Sequence, residues 1–272
     1  MITVQLAEGG TAACYLSGAF KPEALPLVLL HGFCEDSTIW DNLLDHLDEA
    51  IVLRIDLPGF GNSSAAVKPG LENYARVVYT VLNALEVKHC VLAGHSMGGY
   101  TALAFAKSYP EILTGLSLVH SHPFADTPER IEGRKRGVEM LRAGKKDLYV
   151  AQLFPGLFAQ AFAQANPETV DALVQQGRRQ PTEAIIAALQ AMMDRPEHLQ
   201  TLLDSTCPIQ FVLGDQDAII PLDDVLSAAV LPAVSDIRVL PGVGHLGMIE
   251  QPKETARALC DFWRFCDPAS AQ

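Results

Sequence analysis

The sequence lacks the features of several large protein classes. It has no apolar run near the roughly 20 residues that a membrane-spanning helix needs. Its N-terminus has no basic segment followed by an apolar one, so no signal peptide is expected, and we expect a cytoplasmic location. Basic residues are also scarce, because 20 Lys and Arg stand against 32 Asp and Glu, for a net charge of −12. This balance argues against a nucleic-acid partner, whose phosphates require a basic surface.

Closely spaced cysteine pairs are absent too. The six cysteines are scattered through the sequence without a C-x-x-C motif, which favours reduced, mostly buried thiols over disulfides. A chain of 272 residues buries enough apolar surface to fold without disulfides or metals. We therefore predict no cofactor and no metal, and we expect a small-molecule substrate as the binding partner. Nothing in the sequence indicates an oligomeric state.

Apolar runs of strand length alternate with amphipathic segments over most of the chain. Strands are predicted at 2–6, 11–16, 25–30, 50–55, 88–93, 112–119, 209–213 and 237–240. Helices are predicted from Asp36 or Ser37 to Leu47, and at 71–85, 96–108, 222–230 and 252–265. This alternation predicts an α/β protein with a mostly parallel sheet and helices on both faces.

Between residues 121 and 206 the alternation stops and the segments are all helical by period. They are predicted at 128–142, 146–154, 157–165, 167–178 and 182–193, with prolines at the breaks. An all-helical stretch inside an alternating chain predicts a cap over the ligand-binding edge of the sheet. The expected domains are a core of residues 1–120 and 207–272 and a helical cap of residues 121–206.

The segment Gly94-His-Ser-Met-Gly98 stands between a predicted strand and a predicted helix. This is a Gly-x-Ser-x-Gly motif in the context that a nucleophile elbow requires. A turn this sharp strains the serine backbone, so its close neighbours must lack side chains, and the two glycines meet that need. Ser96 is therefore the predicted catalytic nucleophile.

A serine hydroxyl requires a general base, and a carboxylate must orient that base. Asp217 follows one late strand and His245 follows the next, so both are expected at the same sheet edge as Ser96. We predict His245 as the base and Asp217 as the acid. Asp215 could equally be the acid, although Gly214-Asp215 resembles the turn itself, and Asp126 is the third choice.

Two backbone N–H groups are predicted to form an oxyanion hole. They belong to Met97, next after the nucleophile, and to Phe33, which follows His31-Gly32 after an early strand. His120 and His122 also follow a strand end, so they are expected at the pocket mouth near the cap hinge. Because no third ligand with suitable spacing accompanies them, pocket lining or hinge packing is predicted for these histidines rather than a metal site.

Taken together, four motifs resemble those of the α/β-hydrolase superfamily. They are His31-Gly-Phe33, the loop 56–63, Gly94-His-Ser-Met-Gly98, and Asp217 followed by Gly244-His245. The resemblance implies an α/β-hydrolase fold, with an eight-stranded sheet, a helical cap between strands six and seven, and a Ser96–His245–Asp217 catalytic triad. It also implies that the 56–63 loop positions a neighbouring turn and is not catalytic. Serine at position 96 argues against the epoxide hydrolases and haloalkane dehalogenases, which have aspartate there.

The resemblance implies a serine esterase acting on a carboxylic ester of a small or medium apolar substrate. Apolar cap residues that could line such a pocket, or equally form the core of the cap, are Leu153, Phe154, Leu157, Phe158 and Phe162. The alternatives on the same triad are C–C bond or thioester hydrolysis, or related lyase chemistry. A ligand sensor with slow turnover is a further alternative within this fold.

Overall fold

The computed structural model describes residues 1–18, 24–47, 50–64 and 68–267, and it places eight strands in one sheet. The strands β1 to β8 are Ile2–Gln5, Thr11–Ser17, Leu27–Leu30, Val52–Ile55, Cys90–His95, Leu113–Val119, Ile209–Gly214 and Ser235–Leu240. Their order across the sheet is β1-β2-β4-β3-β5-β6-β7-β8. Only the β1–β2 and β2–β4 pairs are antiparallel, so the predicted mostly parallel eight-stranded sheet is confirmed.

The described residues also form twelve α-helices. Helices α1 to α12 are Asp41–Leu44, Leu71–Ala84, Met97–Ser108, Pro128–Arg142, Lys146–Leu153, Gln160–Ala165, Pro167–Arg179, Thr182–Met193, Leu199–Leu203, Leu222–Ala229, Gly247–Glu250 and Pro252–Cys266. Short 3-10 helices cover Ser37–Trp40, Pro110–Ile112 and Phe154–Leu157. None of the helices in the described ranges is long and apolar enough to cross a membrane.

The central strands β3 and β5 are buried along their whole length. Their sequences are therefore almost continuously apolar rather than alternating, as expected for parallel strands covered by helices on both faces. The helix α3, which follows β5, is buried at nine successive positions from Met97 to Phe105. The strand–turn–helix unit that carries Ser96 thus lies in the middle of the hydrophobic core.

The helix predicted from Asp36 or Ser37 to Leu47 is divided in the structure. A 3-10 helix over Ser37–Trp40 is followed by the four-residue α1. The Asp36 side chain caps the first of these by accepting the N–H of Thr38 at 3.0 Å. Ser, Thr, Asp and Asn are frequent in this segment, and such side chains compete with the backbone for hydrogen bonds, which explains the interruption.

Two short helices, α9 and α11, have no counterpart in the sequence analysis. They contain five and four residues, respectively. A hydrophobic period needs a window of about 11 to 18 residues to be recognised. Helices of one turn therefore give no periodic signal.

The carboxyl ends of β5, β6, β7 and β8 lie at one edge of the sheet, because these strands are parallel neighbours. The backbone N–H of Ser96 donates to the carbonyl of Val119 at 3.0 Å, so pairing continues to the ends of β5 and β6. Asp217 follows β7 and His245 follows β8. The topology therefore delivers the three predicted residues to one edge.

Helices α4 to α9 are inserted between β6 and β7, and residues 120–208, all described, contain no strand. The insertion is hydrogen-bonded to the loop after β3. The side-chain amides of Gln176 and Gln180 in and after α7 donate to the Asp36 carboxylate at 2.7 and 3.0 Å. The division into a core of 1–120 and 207–272 and a cap of 121–206 stays a prediction.

Replacement of a fully buried strand residue tests this core. Leu29 in β3 has no exposed surface, so Leu29→Ala is expected to lower the free energy of unfolding by about 2–5 kcal/mol through the cavity it leaves. The exposed residue Leu203, with 51% of its surface accessible, provides the matched control, and Leu203→Ala should cost less than about 0.5 kcal/mol. Urea denaturation of both variants measures the difference. Equal losses would contradict the described burial.

Candidate active site

Ser96 occupies the turn that joins β5 to α3. Its backbone angles are φ 49° and ψ −112°, which a residue with a side chain adopts only under strain. A Cβ at Gly94 would lie 2.3 Å from the carbonyl oxygen of Gly98, and a Cβ at Gly98 would lie 2.5 Å from that of Leu30. The turn therefore needs glycine at both positions. It leaves the Ser96 side chain partly exposed between buried neighbours.

The two N–H groups predicted to hold an oxyanion are near this turn. Met97 begins α3, so its N–H has no acceptor within the helix. The loop after β3 reaches the same helix end, because Gly98 abuts the carbonyls of Leu30 and His31. In the part of the chain that the structure describes, neither Phe33 nor Met97 donates a backbone hydrogen bond. Both groups are available to a ligand, and their role stays a prediction.

Asp217 and His245 are hydrogen-bonded to each other. His245 Nδ1 lies 2.7 Å from Asp217 Oδ2, and both side chains are almost fully buried. The second carboxylate oxygen, Oδ1, accepts the N–H groups of Ile219 and Ile220 at 2.8 and 2.9 Å. Because a carboxylate only accepts, Nδ1 of His245 is the protonated nitrogen. Nε2 is then the basic nitrogen of the neutral ring.

The Asp217 carboxyl is held in its ionised form. Burial alone would raise its pKa, but the charge of His245, its hydrogen bond and the nearby His120 ring outweigh burial and hold the pKa well below its usual value. No hydrogen bond joins the Ser96 hydroxyl to His245 among residues 1–18, 24–47, 50–64 and 68–267. The structure thus pairs the predicted base with the predicted acid and leaves the predicted nucleophile at the same edge.

The other two candidate acids have different partners. Asp215 lies at the surface, where its Oδ1 accepts the N–H of Gly242 at 2.7 Å. Asp126 forms buried ion pairs with Arg134 at 2.5 Å and Arg195 at 2.8 Å. Burial would raise the pKa of Asp126, but these guanidinium groups lower it overall. Of the three carboxylates weighed from the sequence, only Asp217 contacts His245.

His120 lies deeper than the predicted pocket mouth. It is fully buried, its Nδ1 lies 3.4 Å from Asp217 Oδ2, and its Nε2 accepts the N–H of Gly247 at 3.2 Å. Burial lowers its pKa to about 4. His122 instead lines a cavity of about 350 Å³. Burial, followed by the charges of nearby arginines, lowers the pKa of His122 to about 3.

A buried ion pair beneath the turn has no counterpart in the sequence analysis. Glu35 Oε2 lies 3.1 Å from His95 Nδ1 and also accepts the N–H of Gly32 at 2.8 Å. His95 Nε2 lies 2.9 Å from the carbonyl oxygen of His245. Burial would raise the pKa of Glu35 and lower that of His95, but their mutual attraction reverses both shifts. His95 occupies a variable position of the Gly-x-Ser-x-Gly motif, so the sequence does not indicate that it pairs with Glu35.

The loop that carries His245 is fixed by a second carboxylate. Glu250 accepts the N–H groups of Gly244 and Leu246 at 3.1 and 3.2 Å, and that of Ala159 in the helical insertion at 3.0 Å. The N–H of His245 itself donates to the carbonyl of Leu157 in the insertion at 2.6 Å. Burial raises the pKa of Glu250. The insertion is therefore bonded directly to the His245 loop.

The apolar residues of the insertion that could line a pocket divide into two groups. Phe154, Leu157 and Phe158 are buried. The Phe154 ring lies where a Cβ at Gly177 in α7 would be, at 2.3 Å, so this side chain belongs to the core of the insertion. Leu153 and Phe162 are partly buried, and the Phe162 ring stacks on Phe158 with ring centroids 5.4 Å apart.

Of the residues that the structure describes, one group has the spacing of metal ligands. The potential ligand atoms of His120, Asp217 and His245 lie within 4.8 Å of one another. Asp217 Oδ2 already accepts from His245, and His120 Nε2 already accepts from Gly247. Since these lone pairs are engaged in hydrogen bonds, we interpret the group as an acid–base cluster. The expectation of no metal and no cofactor stays a prediction.

Comparison with known proteins gives a family match. Residues 27–258 match the model of the alpha/beta hydrolase family. A solved esterase from Thermogutta terrifontis is 31% identical, with a TM-score of 0.90 over 97% of this chain and 98% of that chain.

Two curated relatives have different printed activities. The biotin biosynthesis bifunctional protein BioHC of Cellvibrio japonicus is 30% identical over 249 residues, which are 87% of this chain but 47% of that protein. The chain thus spans about half the length of this relative. A 2-succinyl-6-hydroxy-2,4-cyclohexadiene-1-carboxylate synthase of an Enterobacter strain is 28% identical over 250 residues, 90% of this chain and 94% of the synthase.

The buried Glu35–His95 pair predicts a pH-dependent stability difference. Because the pKa of Glu35 is lowered from 4.5, this carboxylate stabilises the fold at pH values above 4.5. Because the pKa of His95 is raised from 6.5, this ring stabilises the fold most at pH values below 6.5. Glu35→Gln is therefore expected to lower the free energy of unfolding by about 3–5 kcal/mol at pH 6, and by less as the pH rises.

Denaturant unfolding at pH 6 and pH 9 measures this difference, with the exposed Glu183→Gln as the matched control. The control should change stability by less than about 0.5 kcal/mol at both pH values. A loss for Glu35→Gln that is equal at the two pH values would contradict the ion pair.

Proposed function

We propose that this hydrolase, which belongs to the alpha/beta hydrolase family, cleaves a carboxylic ester of a small or medium apolar substrate with Ser96 as nucleophile. The proposal is carried by the 2.7 Å hydrogen bond between His245 and Asp217 at the sheet edge where the strained Ser96 turn lies. A serine nucleophile requires a base, and the base requires an orienting acid. These three residues supply the three groups.

In the first step, Ser96 Oγ attacks the ester carbonyl carbon while His245 Nε2 takes the hydroxyl proton. Asp217 keeps the His245 proton on Nδ1, so that Nε2 faces the reaction as the base. Because Asp217 is ionised and buried beside the ring, it also stabilises the imidazolium that forms. The serine hydroxyl is thereby activated without a metal.

The tetrahedral intermediate carries a negative charge on the former carbonyl oxygen. The N–H groups of Phe33 and Met97 bind this oxyanion, and the N-terminal end of the 12-residue helix α3 adds a favourable dipole. Both groups lack a backbone acceptor in the described structure, which supports this assignment. Removal of one such donor in other serine hydrolases costs about 3–4 kcal/mol of transition-state stabilisation.

The intermediate collapses when His245 gives its proton to the departing alcohol, which leaves an acyl group on Ser96. Water then attacks the acyl carbon while His245 takes its proton, and a second tetrahedral intermediate forms in the same oxyanion site. Its collapse releases the carboxylic acid and returns the proton to Ser96 Oγ. The two half-reactions use the same base and the same N–H pair.

The preference for esters is supported by the similarity to the Thermogutta terrifontis esterase. That protein is 31% identical to this chain and matches 97% of its length. The preference for an apolar substrate is supported by the side chains around the site. Phe33 packs edge-on against Tyr149 with ring centroids 6.5 Å apart, and both rings are only partly buried. Phe162 adds partly buried apolar surface on the insertion.

The same residues also support C–C bond or thioester hydrolysis, or a related lyase reaction. The observation that favours this second candidate is the 28% identity to the cyclohexadiene-carboxylate synthase over 90% of this chain. The C–C bond and thioester hydrolyses begin with attack on a carbonyl group and use an oxyanion site. A substrate panel that includes thioesters and vinylogous diketones beside esters separates them.

Ser96→Ala is expected to lower kcat for ester hydrolysis by about three to six decades, because no other described side chain replaces the nucleophile. The measurement uses p-nitrophenyl esters of increasing acyl length, with a chain-length optimum expected for a bounded pocket. Ser108→Ala, an exposed position at the end of the same helix, is the matched control and should keep turnover within twofold. Turnover by Ser96→Ala within tenfold of the parent would contradict the assignment of Ser96 as the nucleophile.

Asp217→Asn is expected to lower kcat by about three to four decades with little change in KM, because the amide cannot hold the same His245 tautomer. Asp215→Asn is the matched control, since the exposed Asp215 side chain accepts the Gly242 N–H and, among the described residues, does not contact His245. Steady-state kinetics of both variants distinguish the two carboxylates. A large loss for Asp215→Asn alone would transfer the acid role to that residue.

A further inference from the structure

His120 is a fully buried polar residue beside Asp217 that the proposed reaction does not use. Its side chain has no exposed surface, and its backbone lies in the left-handed region at φ 46°, which a residue with a Cβ rarely adopts. The N–H of His120 is tied to the carbonyl of Val212 at 2.8 Å. A strained residue fixed at both backbone and side chain points to a specific requirement at this position.

The contact with Gly247 determines which nitrogen of His120 carries the proton. The Gly247 N–H donates to His120 Nε2 at 3.2 Å, so Nε2 must be unprotonated. The neutral ring therefore has its proton on Nδ1. This buried nitrogen has no hydrogen-bond partner among the described residues, and it lies 3.4 Å from Asp217 Oδ2, the same oxygen that accepts from His245.

The approach of Gly247 is close enough to fix the ring. A Cβ at position 247 would lie 2.5 Å from His120 Nε2, so the ring and a larger residue could not coexist there. The ring of His120 lies edge-on to those of His95 and His245, with centroids 6.2 and 5.9 Å away. His120 is thus confined between the Gly247 backbone, two imidazoles and the Asp217 carboxylate.

We propose that His120 is a positioning residue of the Ser96 reaction, whose Nδ1–H group donates to Asp217 Oδ2 and fixes the carboxylate that orients His245. The proposal rests on the proposed function of Ser96, Asp217 and His245. Asp217 then has four donors, because the N–H groups of Ile219 and Ile220 hold Oδ1 and two imidazole N–H groups share Oδ2. All acceptor sites of the carboxylate are used.

The charges around this cluster determine the effect of His120 on His245. The groups that face it are Asp217, His95 with its partner Glu35, and Glu250 on α11 behind the His245 loop. Because burial lowers the pKa of His120 to about 4, its ring is neutral at pH 7 and adds no positive charge. A neutral donor draws part of the Asp217 charge away from His245. Loss of that donor should therefore strengthen the attraction between Asp217 and the protonated His245 ring.

His120→Phe removes the donor, whereas His120→Asn places an amide nitrogen near the position of Nδ1. For His120→Phe we expect kcat/KM to fall about tenfold to a hundredfold. We also expect the midpoint of the acidic limb in the pH profile of kcat/KM to rise by about 0.5 to 1 pH unit. His120→Asn should restore the limb to the position of the parent enzyme. His122→Phe, a buried histidine two residues away that does not contact Asp217, is the matched control and should leave the limb unmoved.

Loss of activity in His120→Phe with an unmoved acidic limb and a lowered Tm would show a merely structural residue and overturn the proposal. The same holds if His120→Asn and His120→Phe have identical pH profiles. These outcomes distinguish positioning from packing, because packing alone does not change the attraction between Asp217 and His245.

A measurement on the parent protein requires neither a folded variant nor a substrate. Long-range ¹H–¹⁵N correlation spectra of the imidazoles report the tautomer of each histidine. We expect His120 as the Nδ1–H tautomer from pH 6 to 8, and an Nε2–H tautomer would overturn the proposal. If Ser96→Ala kept its ester turnover, the proposed function would fail while this spectrum still tested the His120–Asp217 contact, so the two failures are distinguishable.

Discussion

The turn between β5 and α3 leaves no room for a side chain at Gly94 or Gly98, and this close approach of backbones determines where Ser96 lies. The carbonyl of Leu30 in β3 and that of Gly98 in α3 occupy the space that any Cβ would fill. Strand, helix and neighbouring loop are consequently in backbone contact at one point. The start of α3, the loop that carries Phe33 and the strained serine therefore lie close together. The surrounding parallel strands then bring Asp217 and His245 to the same edge.

Carboxylates that accept several hydrogen bonds organise the loops around this edge. Glu35 joins the loop after β3 to His95, Asp217 joins the loop after β7 to His245, and Glu250 joins the His245 loop to the helical insertion. Asp56 acts in the same way outside the site, since its carboxylate accepts the N–H groups of Ser37 and Asn62. Each carboxylate accepts two or more donors, as a buried charge requires. These hydrogen bonds hold the loops at fixed distances, in addition to the packing of buried loop residues such as Val243 and Leu246.

The family-level fold and the proposed catalytic residues could be predicted because their signals are local. Gly94, Ser96 and Gly98 form a motif, and Asp217 and His245 each follow an apolar run of strand length. The contacts that could not be predicted join residues far apart in the chain. Glu35 and His95 are 60 residues apart, and His120 and Gly247 are 127 apart. Their pairing depends on the tertiary arrangement of strand ends, for which a single sequence contains no periodic or spacing signal. The sequence alone does not determine, for the same reason, that Phe154 lies in the core of the insertion.

The hydrogen bonds from His245 to Leu157 and from Ala159 to Glu250 have a consequence for the diversification of this scaffold. The backbone of the insertion is here hydrogen-bonded to the loop of the proposed base, so the insertion cannot be exchanged as an independent module. A segment grafted from another hydrolase would have to place one backbone carbonyl within reach of the His245 N–H and one backbone N–H within reach of the Glu250 carboxylate. The surface of the insertion away from residues 157–159 is free of this restriction. Sequence variation that preserves the His245 loop is therefore best accommodated there.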